Sequence, residues 1–317
     1  MNVVSLVDQW ADELRPLLDA SIEFVLVDRH DADALAQALP DADVIFSMTF
    51  DGAMAARCRK LRLILCPAAG TEHIDRAALP PGVVVVNSSG PEIPMAEYVI
   101  GALVALRQNV RNADRRLRDG YWTQGAMRER EFVGELYGSN LALIGYGRTG
   151  QEVAVRARAF GMYCRAATMR PDAPRRHVNL LERLIDVKDA SALDRLVAWA
   201  DAVVLCAELS SVTRGMLDAR RFSLMKPTAV LVNVARGPIA VERDLYESLR
   251  DGRIAGAAID VWYRYPKRDE RQLPSEFPFQ ELDNIIMTPH SSAWTLPHKK
   301  RKLAFWSSVL NEFAKTL

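Results

Sequence analysis

The stretch LALIGYGRTGQEVAVRARAF constrains this chain more than any other. In it an apolar run ends at Gly145, and a helical period begins within three residues, through Gly147 and Gly150. A strand that enters a helix through G-x-G-x-x-G belongs to parallel α/β architecture. The first glycine permits the tight turn, the second lets the main chain approach a pyrophosphate, and the third lets helix and strand pack closely. The helix N-terminus adds N–H groups and a positive dipole end. The motif predicts a dinucleotide site, with Arg148 and Thr149 among the residues that face it.

The rest of the chain repeats that rhythm on both sides of the motif. Short apolar runs VVSLV, EFVLVD, DVIFSM, LRLILC and GVVVVN alternate with helical segments in the first ninety residues, then MYCRAA, ADAVVLC, TAVLVNVA, IAGAAIDVW and NIIMTPH follow the glycine turn. The reading is an α/β protein of two doubly wound parallel-sheet domains, which 317 residues are enough to fill. One long amphipathic helix is predicted from about Pro94 to the glycine of RRLRDG. The tail SSAWTLPHKKRKLAFWSSVLNEFAKTL reads as a helix with no sheet of its own. The Pro- and charge-rich YRYPKRDERQLPSEFPFQELDN reads as an irregular excursion.

Composition narrows the partners. Lys and Arg number 41 against 40 Asp and Glu, interspersed along the chain, so nucleic acid is excluded as a first expectation. No apolar run reaches the roughly 20 residues of a bilayer span, and MNVVSLVDQWADELRP lacks a basic region before an apolar one, so no membrane association and a cytoplasmic location are expected. Cys58, Cys66, Cys164 and Cys206 lie far apart without ligand spacing, which predicts buried free thiols, no disulfide framework and no metal.

Cofactor preference is read from the strand after the glycine turn. An NAD site places an acidic residue at its end to accept from the ribose hydroxyls. Here AATMRPDAPRR puts Thr168 at that position, with Arg170 two residues on and Arg175 and Arg176 nearby. A hydroxyl and a guanidinium suit a 2′-phosphate that a carboxylate would repel. NADP(H) is therefore favoured over NAD(H), with Asp172 the residue that would serve the alternative.

Three further strand ends carry polar residues: VNVARGP with Arg236, GAAIDVW with Asp260 and MTPHSSAW with His290. An arginine can clamp a 2-oxo acid by its carboxylate, and a histidine can deliver a proton to the carbonyl oxygen as hydride arrives at carbon. Asp260 would orient the nicotinamide end. With AAGTEHIDRAAL, NSSGPEIPMAEYVIGALVALR, IGYGRTG, LMKPTAVLVNVARGPIAVERDLYESLRDGRIAGAAIDVW and TPHSSA in this order, nearly the whole chain resembles the D-isomer-specific 2-hydroxyacid dehydrogenase family. Its cofactor loop is most similar to NADPH-preferring glyoxylate and hydroxypyruvate reductases.

The resemblance implies a discontinuous flavodoxin-like substrate domain, residues 1–93 plus 291–317, and a Rossmann coenzyme domain, residues 94–290. It implies Arg236 and His290 as the catalytic pair, and Ala69, Gly70 and Thr71 with Arg236 around the carboxylate of a small anionic substrate. Cys206, Val234, Ala235, Asp260 and Ser292 would join the glycine turn at the cofactor. A homodimer is also implied, with the segment from Tyr121 to Gly138 reaching across.

One departure bears on chemistry. Where the family has a glutamate hydrogen-bonded to the catalytic histidine, this chain has Tyr265, which at neutral pH carries no charge to favour imidazolium. The sequence thus predicts a His290 that protonates at lower pH, and Glu208 is either a substitute carboxylate or a solvent-facing loop acid. Trp262, Tyr263, Tyr265 and Trp294 either shape a substrate pocket or pack a domain interface. His30, His73, His177 and His298 read as surface or packing residues, and Glu97 as a residue fixing hinge geometry. Three functions stay open: a 2-oxoacid reductase, an enzyme using the same scaffold on a different small anion, and a cofactor-binding regulator.

Overall fold

The computed structural model describes residues 1–68, 70–88, 90–122, 132–266 and 271–317. The chain divides into two compact units, Met1–Pro91 with Trp294–Leu317, and Glu92–Ala293.

The first unit holds β1 (Asn2–Ser5), β2 (Glu23–Leu26), β3 (Val44–Phe46), β4 (Leu63–Cys66) and β5 (Val84–Asn87), all parallel in the order β2-β1-β3-β4-β5. Strands β3 and β4 are buried at every residue, as central strands covered on both faces must be, whereas the edge strand β2 buries only Phe24. The helix Leu296–Ala314 supplies the missing cover. Leu303, Trp306 and Leu310 recur at helical spacing and join Val3, Phe46, Leu63 and Leu65 in one cluster. Thr295 caps the helix by accepting from the N–H of His298, and Pro297 suits its first turn, where its missing N–H has no partner to lose. Trp306 is fully buried and donates its indole N–H to Ser88 Oγ at 2.5 Å.

The second unit holds β6 (Asn140–Ile144), β7 (Tyr163–Thr168), β8 (Arg183–Asp186), β9 (Ala202–Leu205), β10 (Val230–Asn233), β11 (Gly256–Ile259) and β12 (Ile285–Met287). They form one parallel sheet in the order β12-β11-β10-β9-β6-β7-β8. The strand order reverses beside β6, so the glycine turn leaves the sheet where a doubly wound fold opens a crevice. Strand β8 is absent from the sequence reading. Its residues, Arg-Leu-Ile-Asp, are short and charged at both ends and form an edge strand without a fully buried position.

The single long helix expected after Pro94 is two helices, Glu92–Arg107 and Val110–Arg118. The break falls at Asn109, whose φ of 51° is left-handed, a conformation asparagine tolerates better than most residues. Turning there lets Arg111 donate to the carbonyl of Ile285 and Arg115 pair with Asp283 at 2.8 Å, contacts that a straight helix would not reach. Part of the Tyr121 to Gly138 segment, residues 123–131, lies outside the described residues.

Candidate active site

The glycine turn has the steric demands its sequence suggests. Gly145 sits at φ 109°, and a Cβ there would lie 2.5 Å from the N of Ala207. A Cβ at Gly150 would strike the carbonyl oxygen of Gly145, so the helix Arg148–Ala159 can approach β6 only with glycine at that point. A Cβ at Gly147 would meet nothing within 4 Å, leaving open space at the helix N-terminus where a pyrophosphate would lie. Cys206 lies under the turn and donates its thiol to the Gly145 carbonyl at 3.0 Å. Burial pushes that thiol up to about 12, which makes it a packing group and not a nucleophile.

The loop after β7 is organised by a residue that the sequence reading mentions only in passing. The Arg175 guanidinium donates to Tyr146 O at 3.0 Å, Ala173 O at 2.6 Å, Pro171 O at 3.3 Å and Thr168 Oγ1 at 3.1 Å, and also to Arg170 O. Tyr146, between the first two glycines, is 1 % exposed and donates to the carbonyl of His177 at 2.6 Å. The loop is thus tied back to the glycine turn at two points. Arg170, Asp172 and Arg176 are exposed, with the N–H of Arg176 held by Gln151 Oε1 at 3.1 Å. Nothing in the spacing marks Arg175 as the organiser, because four of its five partners are backbone carbonyls.

At the end of β10 the chain turns through buried Val234 and Ala235, and Asn233 shapes the turn. Its side chain accepts from Ala235 N at 3.0 Å and donates to Arg236 O at 3.1 Å. Gly237 permits close passage of the next loop, since a Cβ there would lie 2.5 Å from Trp262 O. The Arg236 guanidinium bonds the Ala235 carbonyl at 2.7 Å and acts electrostatically on both Tyr265 and His290.

Asp260, the residue after β11, is fully buried. One of its oxygens accepts from Thr288 Oγ1 at 2.6 Å and Ser291 N at 2.8 Å, and the other from Ser292 N at 3.0 Å. That geometry makes Asp260 a positioning residue that grips the Thr288–Ser292 loop. Tyr98 adds a bond to Thr288 Oγ1 at 2.8 Å, and Trp262 donates its indole N–H to Thr288 O at 2.9 Å. The grip holds His290 at φ 57°, a left-handed conformation in the middle of the loop.

Held there, His290 Nδ1 is 3.1 Å from Tyr265 Oη, with the rings edge-on at 5.7 Å. Tyr265 Oη accepts the N–H of Trp262 at 3.3 Å and has a second lone pair for an Nδ1–H, the tautomer of neutral His290 that leaves Nε2 able to take a proton. Burial draws the His290 imidazole below its usual range, Asp260 opposes this, and the Arg236 charge reinforces it. Burial likewise raises the Tyr265 phenol, with the Trp262 N–H and Arg236 working against it. The histidine is therefore paired to a neutral group that orients it without holding its proton.

The remaining candidates separate. Trp262 is 5 % exposed, and Tyr263 donates to Ala240 O at 2.9 Å, so both pack the second unit's core while Tyr265 stays half-exposed. Trp294 belongs to the first unit, its ring 5.5 Å from that of Trp10 and tilted 36° to it. Glu208 is exposed, and its backbone carbonyl accepts from the Thr213 hydroxyl at 2.7 Å. Glu97 pairs with Arg156 at 3.6 Å within the second unit. Among the four minor histidines, His298 is buried and packs near Gly90. Gly70 and Thr71 lie in a turn of the first unit, where the carbonyl of Gly70 accepts from the Cys66 thiol at 3.6 Å; Ala69 lies outside the described residues. No metal-holding cluster occurs among the described residues, and among them no helix is long and apolar enough to cross a membrane.

A parallel sheet opened by this glycine turn defines a Rossmann-type dinucleotide-binding domain. Residues 100–292 match the model of the D-isomer specific 2-hydroxyacid dehydrogenase NAD-binding domain. The chain is 34 % identical over 271 residues to D-3-phosphoglycerate dehydrogenase of Methanocaldococcus jannaschii, covering 83 % of this chain and 48 % of that protein. It is 32 % identical over 289 residues to glyoxylate reductase of Korarchaeum cryptofilum, covering 90 % and 80 %. The chain thus belongs to the D-isomer-specific 2-hydroxyacid dehydrogenase family, and it spans about half the length of the phosphoglycerate dehydrogenase it matches. The fold is also that of D-lactate dehydrogenase from Aquifex aeolicus, solved with NAD and lactic acid (TM-score 0.80, 22 % identity, 100 % of this chain and 96 % of that one).

Proposed function

We propose that this protein transfers hydride between NADP(H) and a small 2-oxo or 2-hydroxy acid, with Arg236 clamping the carboxylate and His290 as acid and base. The observation that carries the reading is His290, held in a left-handed loop by Asp260 and oriented through Nδ1 by Tyr265 at 3.1 Å, which leaves Nε2 for a substrate oxygen. The bound nicotinamide would supply or take the hydride. Gly145, Gly147, Gly150 and the helix N-terminus fit its pyrophosphate, and Arg148 and Thr149 lie in that first turn. In reduction, His290 in its imidazolium form gives a proton to the carbonyl oxygen, and in oxidation the neutral imidazole takes it from the hydroxyl.

NADP(H) is favoured because β7 ends in Thr168 and not a carboxylate, and the loop beyond it presents the exposed Arg170. A homodimer in the cytoplasm completes the proposal. The test is loss of NADPH or NADH absorbance with 2-oxo acids from glyoxylate to phenylpyruvate across pH. Turnover with NADPH exceeding NADH is expected, and cofactor binding without turnover on any acid would overturn the reductase. A second reading, oxidation of a different small anion, is favoured by the uncharged partner of His290, because a substrate that loses only hydride needs no acid there.

A further inference from the structure

Arg236, Tyr265 and His290 come from separate segments of the second unit, and one residue touches the support of each. Trp262, shortly after β11, is 5 % exposed, with its ring edge-on to Phe279 at 5.8 Å. Its main-chain N–H donates to Tyr265 Oη at 3.3 Å, and its indole N–H donates to Thr288 O at 2.9 Å. Its carbonyl oxygen would lie 2.5 Å from a Cβ at Gly237, so the turn that carries Arg236 closes directly on Trp262.

The bond to Thr288 O acts beyond Thr288 itself. The peptide unit is planar, and the next residue is Pro289, whose ring fixes φ, so orienting the Thr288 carbonyl directs the chain into His290 with one rotation left free. Thr288 is also held through its N–H, which donates to Ile259 O at 3.0 Å, and through its hydroxyl, which donates to Asp260 Oδ1 at 2.6 Å. Those two bonds fix where Thr288 sits, and the indole fixes the rotation of the peptide that follows. A phenylalanine would fill much of the same space and leave the carbonyl without its donor. With His290 as the acid and base proposed above, the geometry points to Trp262 as a positioning residue. By holding the phenol and the histidine loop at once, it sets the 3.1 Å reach from Tyr265 Oη to His290 Nδ1 and the direction in which Nε2 is presented.

The test is an NMR titration of the His290 imidazole in the full chain without coenzyme, assigned with His290→Gln, alongside kcat and KM for reduction of glyoxylate by NADPH. Trp262→Phe should let the imidazole move toward water and raise its titration midpoint by about half a pH unit or more, since burial is the largest influence on it, ahead of the charges of Asp260 and Arg236. Its kcat should fall about tenfold, with the KM for NADPH changed less than about twofold. Benzothienylalanine in place of Trp262, with sulfur where the indole has N–H, should reproduce both effects and decides the matter if the phenylalanine variant does not fold. Phe279→Leu, which loosens packing on the ring and spares both bonds, should lower stability and leave the His290 midpoint and kcat where they are. An unchanged midpoint on loss of the indole N–H, or an equal shift in Phe279→Leu, would overturn the inference. Absence of turnover in the wild type would count against the reductase and not against Trp262, whose effect is read from the titration.

Discussion

The pairing of Tyr265 with His290 carries a definite consequence for pH. Because the folded imidazole lies below its ordinary value, the imidazolium needed for reduction is present only below that lowered value and is lost as pH rises through it. The kcat/KM of reduction should therefore fall off at lower pH than an ordinary histidine would give, while oxidation, which needs the neutral ring, should persist into more acidic solution. Tyr265→Glu would place a carboxylate against Nδ1 and move the reductive limb up by about one pH unit or more. A pH profile unchanged by that substitution would disconnect the two residues. Arg175 yields a second expectation at this scale. Arg175→Ala removes five bonds that hold the loop after β7 together and tie it to Thr168 and the glycine turn, so NADPH affinity should drop several-fold more than NADH affinity, because that loop carries Arg170 and the guanidinium also holds the Thr168 hydroxyl. Fluorescence titration with both coenzymes decides it.

At the scale of elements, the glycine turn and the His290 loop differ in how far sequence reveals them. Gly145 and Gly150 are legible because each fills a steric requirement that only glycine meets, and the flanking strand and helix follow from apolar period. Gly150→Ala would drive a methyl into the Gly145 carbonyl, and loss of coenzyme binding with reduced stability is expected from calorimetry. Arg236, Asp260 and His290 are visible as polar residues at strand ends. Their division of labour is not, because Asp260 acts through N–H groups of Ser291 and Ser292 that no side-chain pattern records. Strand β8 and the break at Asn109 escape for a related reason: an edge strand needs no buried run, and a turn at asparagine is set by the tertiary partners of Arg111 and Arg115.

Across the whole molecule, two doubly wound sheets were readable from the alternation of apolar runs, as was a C-terminal helix without a strand of its own. Which sheet that helix covers comes from contacts: Leu303, Trp306 and Leu310 fill the first unit's core. Trp306→Ala should cost about 3–5 kcal/mol of that unit's stability, measured by urea denaturation, because it removes the largest fully buried side chain and its bond to Ser88.

The same helix imposes an order on synthesis. A ribosome delivers the first unit's strands early, but the side chains that seal their core emerge only after every strand of the second unit. The second unit can close while still tethered, whereas the first must wait with an uncovered face until the last helix leaves the exit tunnel. Newly made chains stalled before Leu296 should accordingly expose protease sites in the first unit and protect those in the second.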